Sequence, residues 1–340
     1  MGWIPLVVRV PSDPKGHLPT LHCFRAKASL VRGEFVTVCL VIRAPVNKAG
    51  AGARGLLKRS ARAVGVATSA FRPSPDFLII GAKRAGTTSF YFDLIEHQAI
   101  LRLYPPPMPR VKADATKGVH YFDSNFTRDN RWYRSYFPTS ATRSLVRRRT
   151  GMPTVAGEAS PFYLFHPAAA ERAHRTVPET RIIVLLRDPV LRTYSHWKER
   201  RRGDAEELDF LDALDAETDR LAGERERLLG DPGYTSYPWE HQSYFTQSLY
   251  AKSLRPWVEA FGRDRIFVAA SEDYYQEPNR VLGDVHEFLG LPRMATATGT
   301  IRNAAKGAPL GAGLRADLRA RFAAPNRELV ELLAQTFPWV

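Results

Sequence analysis

The 340-residue sequence predicts an α/β domain in which helices cover both faces of a parallel sheet. Three observations carry that expectation. Residues 77–80 form an unbroken apolar run that enters a loop bounded by Gly81 and Gly86 and then a helical pattern in which Phe90, Leu94 and Ile95 recur on one side. Residues 182–186 are apolar without alternation, as a parallel strand covered on both faces requires. Strand, loop, helix and strand in this order give a doubly wound sheet, with ligands at the carboxyl ends of the strands.

Taken in order, residues 1–72 read as a basic and mostly irregular extension, with one candidate strand at 35–42, and residues 73–340 as the folded domain. The net charge of +14 belongs mainly to the extension: residues 1–75 hold twelve Lys and Arg against Asp13 and Glu34, which leaves +4 for the rest. The charge therefore does not point to nucleic acid, and the domain calls for an anionic ligand at most. Both cysteines, Cys23 and Cys39, lie in the extension, so no cysteine framework serves the core. The apolar run at 35–42 is too short to span a bilayer, which takes about 20 residues. The first residues lack a charged-then-apolar leader, so a cytoplasmic protein is expected, with a transit peptide as the alternative.

The loop between Gly81 and Gly86 reads as a phosphate cradle. Its GxxxxG spacing is close to a Walker A loop, but Thr87 stands where a nucleotide triphosphatase carries its lysine, and the cations Lys83 and Arg84 lie inside the loop. Such a loop suits a bisphosphate-type donor held without a metal. Thr87, Thr88 or Ser89 is expected to cap the helix that follows, whose dipole then points at the anion.

After a proline-rich surface loop at 104–109 come the segment 117–123 and an aromatic stretch with Trp132, Tyr133, Tyr136 and Phe137. Arg147, Arg148 and Arg149 read as a solvated helix face. Residues 154–158 are a second core strand, 167–175 a helix and 181–187 the clearest strand, followed by a helix opened by Asp188 and Pro189. Residues 204–229 read as one exposed helix of alternating charge, 242–261 as another, 266–270 as a strand and 278–289 as a helix closed by Gly290. Two short helices are expected at the end.

Four segments within residues 75–340 now carry a resemblance. They are the loop with Lys83, Arg84, Ala85, Gly86, Thr87, Thr88 and Ser89; the run from Arg187 to Ser195; the run from Lys117 to Asp123; and Phe288 to Pro292 after Glu272 and Asp273. Together they resemble the sulfotransferases that use 3′-phosphoadenosine 5′-phosphosulfate (PAPS), in particular the heparan sulfate and carbohydrate type and its bacterial relatives. The resemblance implies a P-loop-like three-layer fold and PAPS as co-substrate with no metal. It implies an acceptor hydroxyl or amine on a carbohydrate, glycolipid or small molecule. It gives the loop to the 5′-phosphosulfate, Arg187 and Ser195 to the 3′-phosphate, and Lys306 and Gly307 to a late loop closing on the same phosphate. Lys117 falls on the acceptor side.

Sulfuryl transfer needs charge neutralised on the bridging oxygen and a proton removed from the acceptor. The family's catalytic lysine aligns with Arg84, which can act electrostatically but cannot give up a proton; Lys83, one place earlier, is the other candidate for that oxygen. Heparan sulfate members carry a glutamate base at the position of Gly118. That leaves His120, whose free imidazole titrates near pH 6.5, as the expected base; Glu158, at the end of a neighbouring strand, is the reserve base and is expected rather to orient His120 or bind the acceptor. A metal-dependent P-loop kinase and a non-catalytic nucleotide-binding protein are the competing functions. A kinase would need a cation after Gly86.

Overall fold

The computed structural model describes residues 51–105, 116–299 and 309–340, with side chains from residue 59 on. Five strands, β1 (Phe77–Gly81), β2 (Ile100–Leu101), β3 (Val155–Ala159), β4 (Arg181–Leu186) and β5 (Ile266–Ala270), form one sheet in the order β2-β3-β1-β4-β5. All four pairings are parallel. The chain leaves β1 for β2 and β3 on one side and then crosses to β4 on the other, so the topology reverses at β1 and a crevice opens at its carboxyl end. A bulge between Ile79 and Gly81, opposite Ile183 and Val184, turns the chain out of the sheet there.

Alternate strand residues explain the apolar runs. Leu78, Ile80, Ile182, Val184, Leu186 and Val268 pack on one face with α5 (Ala169–Thr176) and α11 (Tyr250–Phe261). Phe77, Ile79, Ile183 and Leu185 pack on the other with α2 (Thr87–Leu94) and α13 (Pro278–Phe288). Each face is buried, so neither needs a polar residue and alternation disappears. The three-layer arrangement expected from sequence is present.

Residues 51–72 depart from the expected irregular extension. Residues Ala51–Ala67 form helix α1, and the compact unit runs from Lys48 to Val340. Scattered glycines hide an alanine-rich run of good helix propensity. Arg62 fixes the helix to the domain: it donates to Ser135 Oγ at 2.8 Å and Tyr104 O at 3.1 Å, and its guanidinium lies 3.2 Å over the Tyr136 ring. Arg72 is buried, donates to Phe137 O and stacks on Tyr104. The candidate strand at 35–42 lies outside the described residues.

Two short helices, α3 (Asn130–Arg134) and α4 (Ser140–Thr150), follow, and α4 buries nothing, as the arginine run predicts. After α6 (Pro189–Arg202), the expected single exposed helix is three pieces, α7 (Phe210–Asp215), α8 (Glu217–Leu221) and α9 (Glu224–Gly230). Its acids are not all solvated: Glu217 is buried and accepts from the amides of Phe245 and Thr246, both at 2.7 Å. The helix expected from residue 242 is likewise split, into α10 (Tyr237–His241) and α11, and α12 (Ser271–Gln276) follows β5. At the end, one helix, α14 (Ala312–Leu333), runs through Pro325. Leu318, Phe322, Leu329 and Leu333 keep one face buried across the proline, which offsets the missing hydrogen bond.

Candidate active site

The loop after β1 is held by its carbonyls. Ala82 N donates to Leu185 O at 2.7 Å, which ties the loop to β4. The carbonyls of Lys83, Arg84 and Ala85 accept from Arg192 at 3.5 Å, from Arg187 at 3.3 Å and from Ser271 Oγ. A planar peptide then turns the N–H of Gly86 away from those donors. Gly86, at φ +88°, is itself the N-cap of α2 and makes no side-chain cap. The expected cap by Thr87, Thr88 or Ser89 is therefore corrected: these residues form the first turn, and the helix start is left open to an anion.

Arg192 is the residue that sequence reading missed beneath this loop. It is wholly buried, with Nε on Ser248 Oγ at 2.6 Å, Nη1 3.3 Å from Gln247 Oε1 and Nη2 on Tyr244 O, and burial pushes its pKa down to about 10. It is a strut. Its partners lie more than 50 residues away in sequence, so no local pattern marks it.

The two donor motifs meet. Arg187 stands at the end of β4, its own carbonyl accepting from Tyr250 Oη at 2.8 Å, and Ser195 is two turns into α6. Arg84 Nε donates to Ser195 Oγ at 3.4 Å. Burial lowers the pKa of Arg84, and the nearby charges of Arg187, Arg200 and Arg202 lower it further against the pull of Glu199. Lys83 turns to α10 instead: its Nζ lies 3.1 Å from Glu240 O, 3.3 Å from Glu240 Oε1 and 3.1 Å from His241 Nδ1. Burial lowers Lys83 too, partly offset by Glu240, while burial and the Lys83 charge push His241 down to about 4. Sequence spacing gives no hint of Glu240 and His241, 157 and 158 residues away.

On the other side, the segment from Lys117 crosses the end of β3. Lys117 Nζ donates to Thr88 Oγ1 at 2.9 Å. Gly118 passes so close to β3 that a Cβ there would lie 2.5 Å from Ala159 O and 2.8 Å from Ser160 Oγ. Glutamate does not fit at that position. His120 Nδ1 lies 2.8 Å from Asp123 Oδ2, and the imidazole is 42% exposed while the Asp123 side chain is fully buried. Asp123 thus fixes the tautomer, leaving Nε2 to the crevice. Burial pulls the imidazole pKa down, but the Asp123 hydrogen bond and charge, with Glu158 and Glu240, outweigh it and hold the pKa above its ordinary value. Asp123, three residues after His120, was legible by spacing and overlooked.

Of the roles expected of Glu158, its surroundings favour orienting His120. It is completely buried, and its oxygens accept from Val119 N, Ser160 Oγ at 2.7 Å, Tyr163 Oη at 2.9 Å and Tyr133 Oη at 3.1 Å. Burial raises its pKa against the lowering effect of those bonds. Its carboxylate is enclosed by these four donors. Ser160 Oγ in turn accepts from His120 N at 3.0 Å, so Glu158 is a hub that positions His120. Tyr121, Phe122 and Tyr133 are core residues behind it, and Trp132 packs against them half-buried. Lys306 and Gly307 lie outside the described residues.

A parallel sheet that reverses at β1, with an open helix start ringed by arginine and lysine, defines an α/β domain of the phosphate-loop kind whose cations sit within the loop. The chain belongs to the PAPS-dependent sulfotransferase family: the model described as "Sulfotransferase domain" matches residues 74–306. It is 23% identical over 331 residues to the membrane-associated sulfotransferase kil1 of Dictyostelium discoideum, covering 78% of this chain and 66% of that protein. It is 30% identical over 246 residues to human heparan sulfate glucosamine 3-O-sulfotransferase 6, covering 70% and 58%. The crystal structure of a sulfotransferase from Alicyclobacillus acidocaldarius matches with a TM-score of 0.53 at 26% identity, over 78% of this chain and 99% of that one. The match thus spans 66% or less of the length of these two curated relatives. Among the described residues, no helix is long and apolar enough to cross a membrane.

Proposed function

We propose that the protein transfers the sulfuryl group of PAPS to a hydroxyl or amine of a carbohydrate, a glycolipid or a small metabolite. The observation that carries this reading is the Arg84 to Ser195 hydrogen bond, because it joins the loop and the Arg187 motif into one crevice. The residues fit the donor: Arg187, Arg200 and Arg202 each repel Arg84, and a multiply charged bisphosphate would relieve that repulsion. Carbohydrate acceptors are favoured by the glucosamine sulfotransferase among the relatives.

PAPS, when bound, supplies an activated sulfur–oxygen bond whose leaving group is already a stable phosphate. The open start of α2 and Arg84 hold the 5′ end and neutralise the bridging oxygen, while Arg187 and Ser195 hold the 3′-phosphate. Lys83, tied to Glu240 and His241, anchors the loop against α10. His120 Nε2 takes the acceptor's proton, with Asp123 receiving the Nδ1–H and Glu158 fixing the backbone through Ser160.

Transfer of labelled sulfate from PAPS to a panel of sugars, glycolipids and phenols tests the reading; no transfer to any of them would overturn it. Adenosine 3′,5′-bisphosphate should raise the melting temperature without Mg²⁺. Stabilisation by ATP with Mg²⁺ alone would favour a kinase.

A further inference from the structure

Lys117 opens the segment that leads to the base, yet its ammonium points at the donor. It donates to Thr88 Oγ1, in the first turn of α2, at 2.9 Å. That is a poor place for a cation on two counts. A helix start carries positive partial charge, and the side chain is half-buried, with burial the sole cause that pushes its pKa down, to about 8. Among the described residues no carboxylate forms an ion pair with it. A cation held against the dipole and against desolvation calls for an anion in the same place.

The two loop cations do not occupy that position. Lys83 Nζ is within 3.3 Å of three acceptors on α10, and Arg84 leans towards Ser195. The Lys117 backbone is fixed as well, since its carbonyl accepts from Ala159 N at 2.7 Å and Gly118 lies against the same strand end. Three residues later comes His120. Lys117 therefore stands between the donor helix and the base, where the transferring group must pass.

We propose that Lys117 is a catalytic residue of the donor side, its ammonium binding the sulfate end of PAPS, and not an acceptor-binding residue; this rests on the sulfotransferase reading. In the transfer, the acceptor oxygen forms the new bond to sulfur and its proton goes to His120 Nε2. The bond from sulfur to the bridging oxygen breaks, its electron pair staying on the bisphosphate. Lys117 keeps its proton throughout and offsets charge on the sulfuryl and bridging oxygens.

The test measures the affinities of the parent, Lys117→Met and Lys117→Arg for PAPS and for adenosine 3′,5′-bisphosphate by calorimetry, with steady-state rates alongside. Lys117→Met should lose roughly tenfold in PAPS affinity, the size of one charge-assisted contact, while bisphosphate affinity stays within about twofold. Its kcat should fall roughly 10²-fold with the acceptor KM unchanged. In the parent, kcat/KM for PAPS should decline as pH rises through about 8, and Lys117→Arg should move that limb upward. A raised acceptor KM with PAPS affinity and kcat retained would overturn the proposal and return Lys117 to the acceptor side. Should Lys117→Met lose both nucleotides, Lys117→Arg decides: retained PAPS affinity supports the role, and PAPS affinity lost with bisphosphate kept overturns it. A parent that binds neither nucleotide overturns the sulfotransferase reading as well.

Discussion

The two halves of the site are built differently. The proposed donor half is a backbone structure, with consecutive loop carbonyls pinned by side chains from the end of β4, from α6 and from α12 ahead of the start of α2. The acceptor half is a side-chain structure: one imidazole, oriented by Asp123 and seated through Ser160 on the buried Glu158. Backbone sites spread binding over many weak donors and tolerate loss of any one. A hub concentrates it. Substitutions should accordingly be graded in the donor half and severe in the acceptor half.

The strongest break of that contrast is His120→Ala, which should lower turnover by roughly 10²–10⁴-fold with bisphosphate affinity nearly unchanged. Because the folded imidazole pKa is raised, the base is protonated at low pH, and the parent rate should climb as pH rises through a value above 6.5. If Glu158→Gln abolishes activity while His120→Ala is nearly silent, the base is Glu158. Glu158→Ala should cost about 3 kcal/mol of stability in urea titrations, since Tyr133, Tyr163, Ser160 and the Val119 amide lose a buried acceptor together. A loss below about 1 kcal/mol would mean the hub is not structural.

Smaller effects belong to the donor half and its support. Arg187→Ala should weaken bisphosphate binding by about 2 kcal/mol, roughly 30-fold, and Ser195→Ala by about 1 kcal/mol, roughly fivefold, because a charge-assisted bond is about twice a neutral one. Equal losses in calorimetry would contradict the 3′-phosphate assignment. Replacing Arg62 and Arg72 together by alanine should lower the melting temperature by several degrees, as their partners on Ser135, Tyr104 and Phe137 are lost.

Much of the donor half was legible in sequence because its parts are contiguous. The non-alternating strands β1, β4 and β5 have both faces covered, and the loop and the Arg187 run each sit directly after one of them. What stayed hidden depends on distant pairing. Arg192, Glu240 and His241 reach the loop from other elements, and nothing in their neighbourhood distinguishes them from solvated charges. Glu158 ends an apolar strand in sequence, and only the crossing of 117–123 over that end shows the carboxylate to be enclosed. Helix α1 was missed for a different reason: alanine-rich runs with interspersed glycine have little apolar period, and the anchoring groups are guanidinium stems and rings.

The close passage of Gly118 over β3 bears on how such a site can change over generations. In this chain a side chain at position 118 competes for space with the strand end that supports His120. Admitting any side chain at 118 means moving Ala159 and Ser160, and Ser160 is also the link that seats His120 on Glu158. A Gly118→Glu replacement in this chain should therefore yield a poorer enzyme, not a twofold-equipped one, and recovering activity afterwards should require compensating changes at residues 159 and 160.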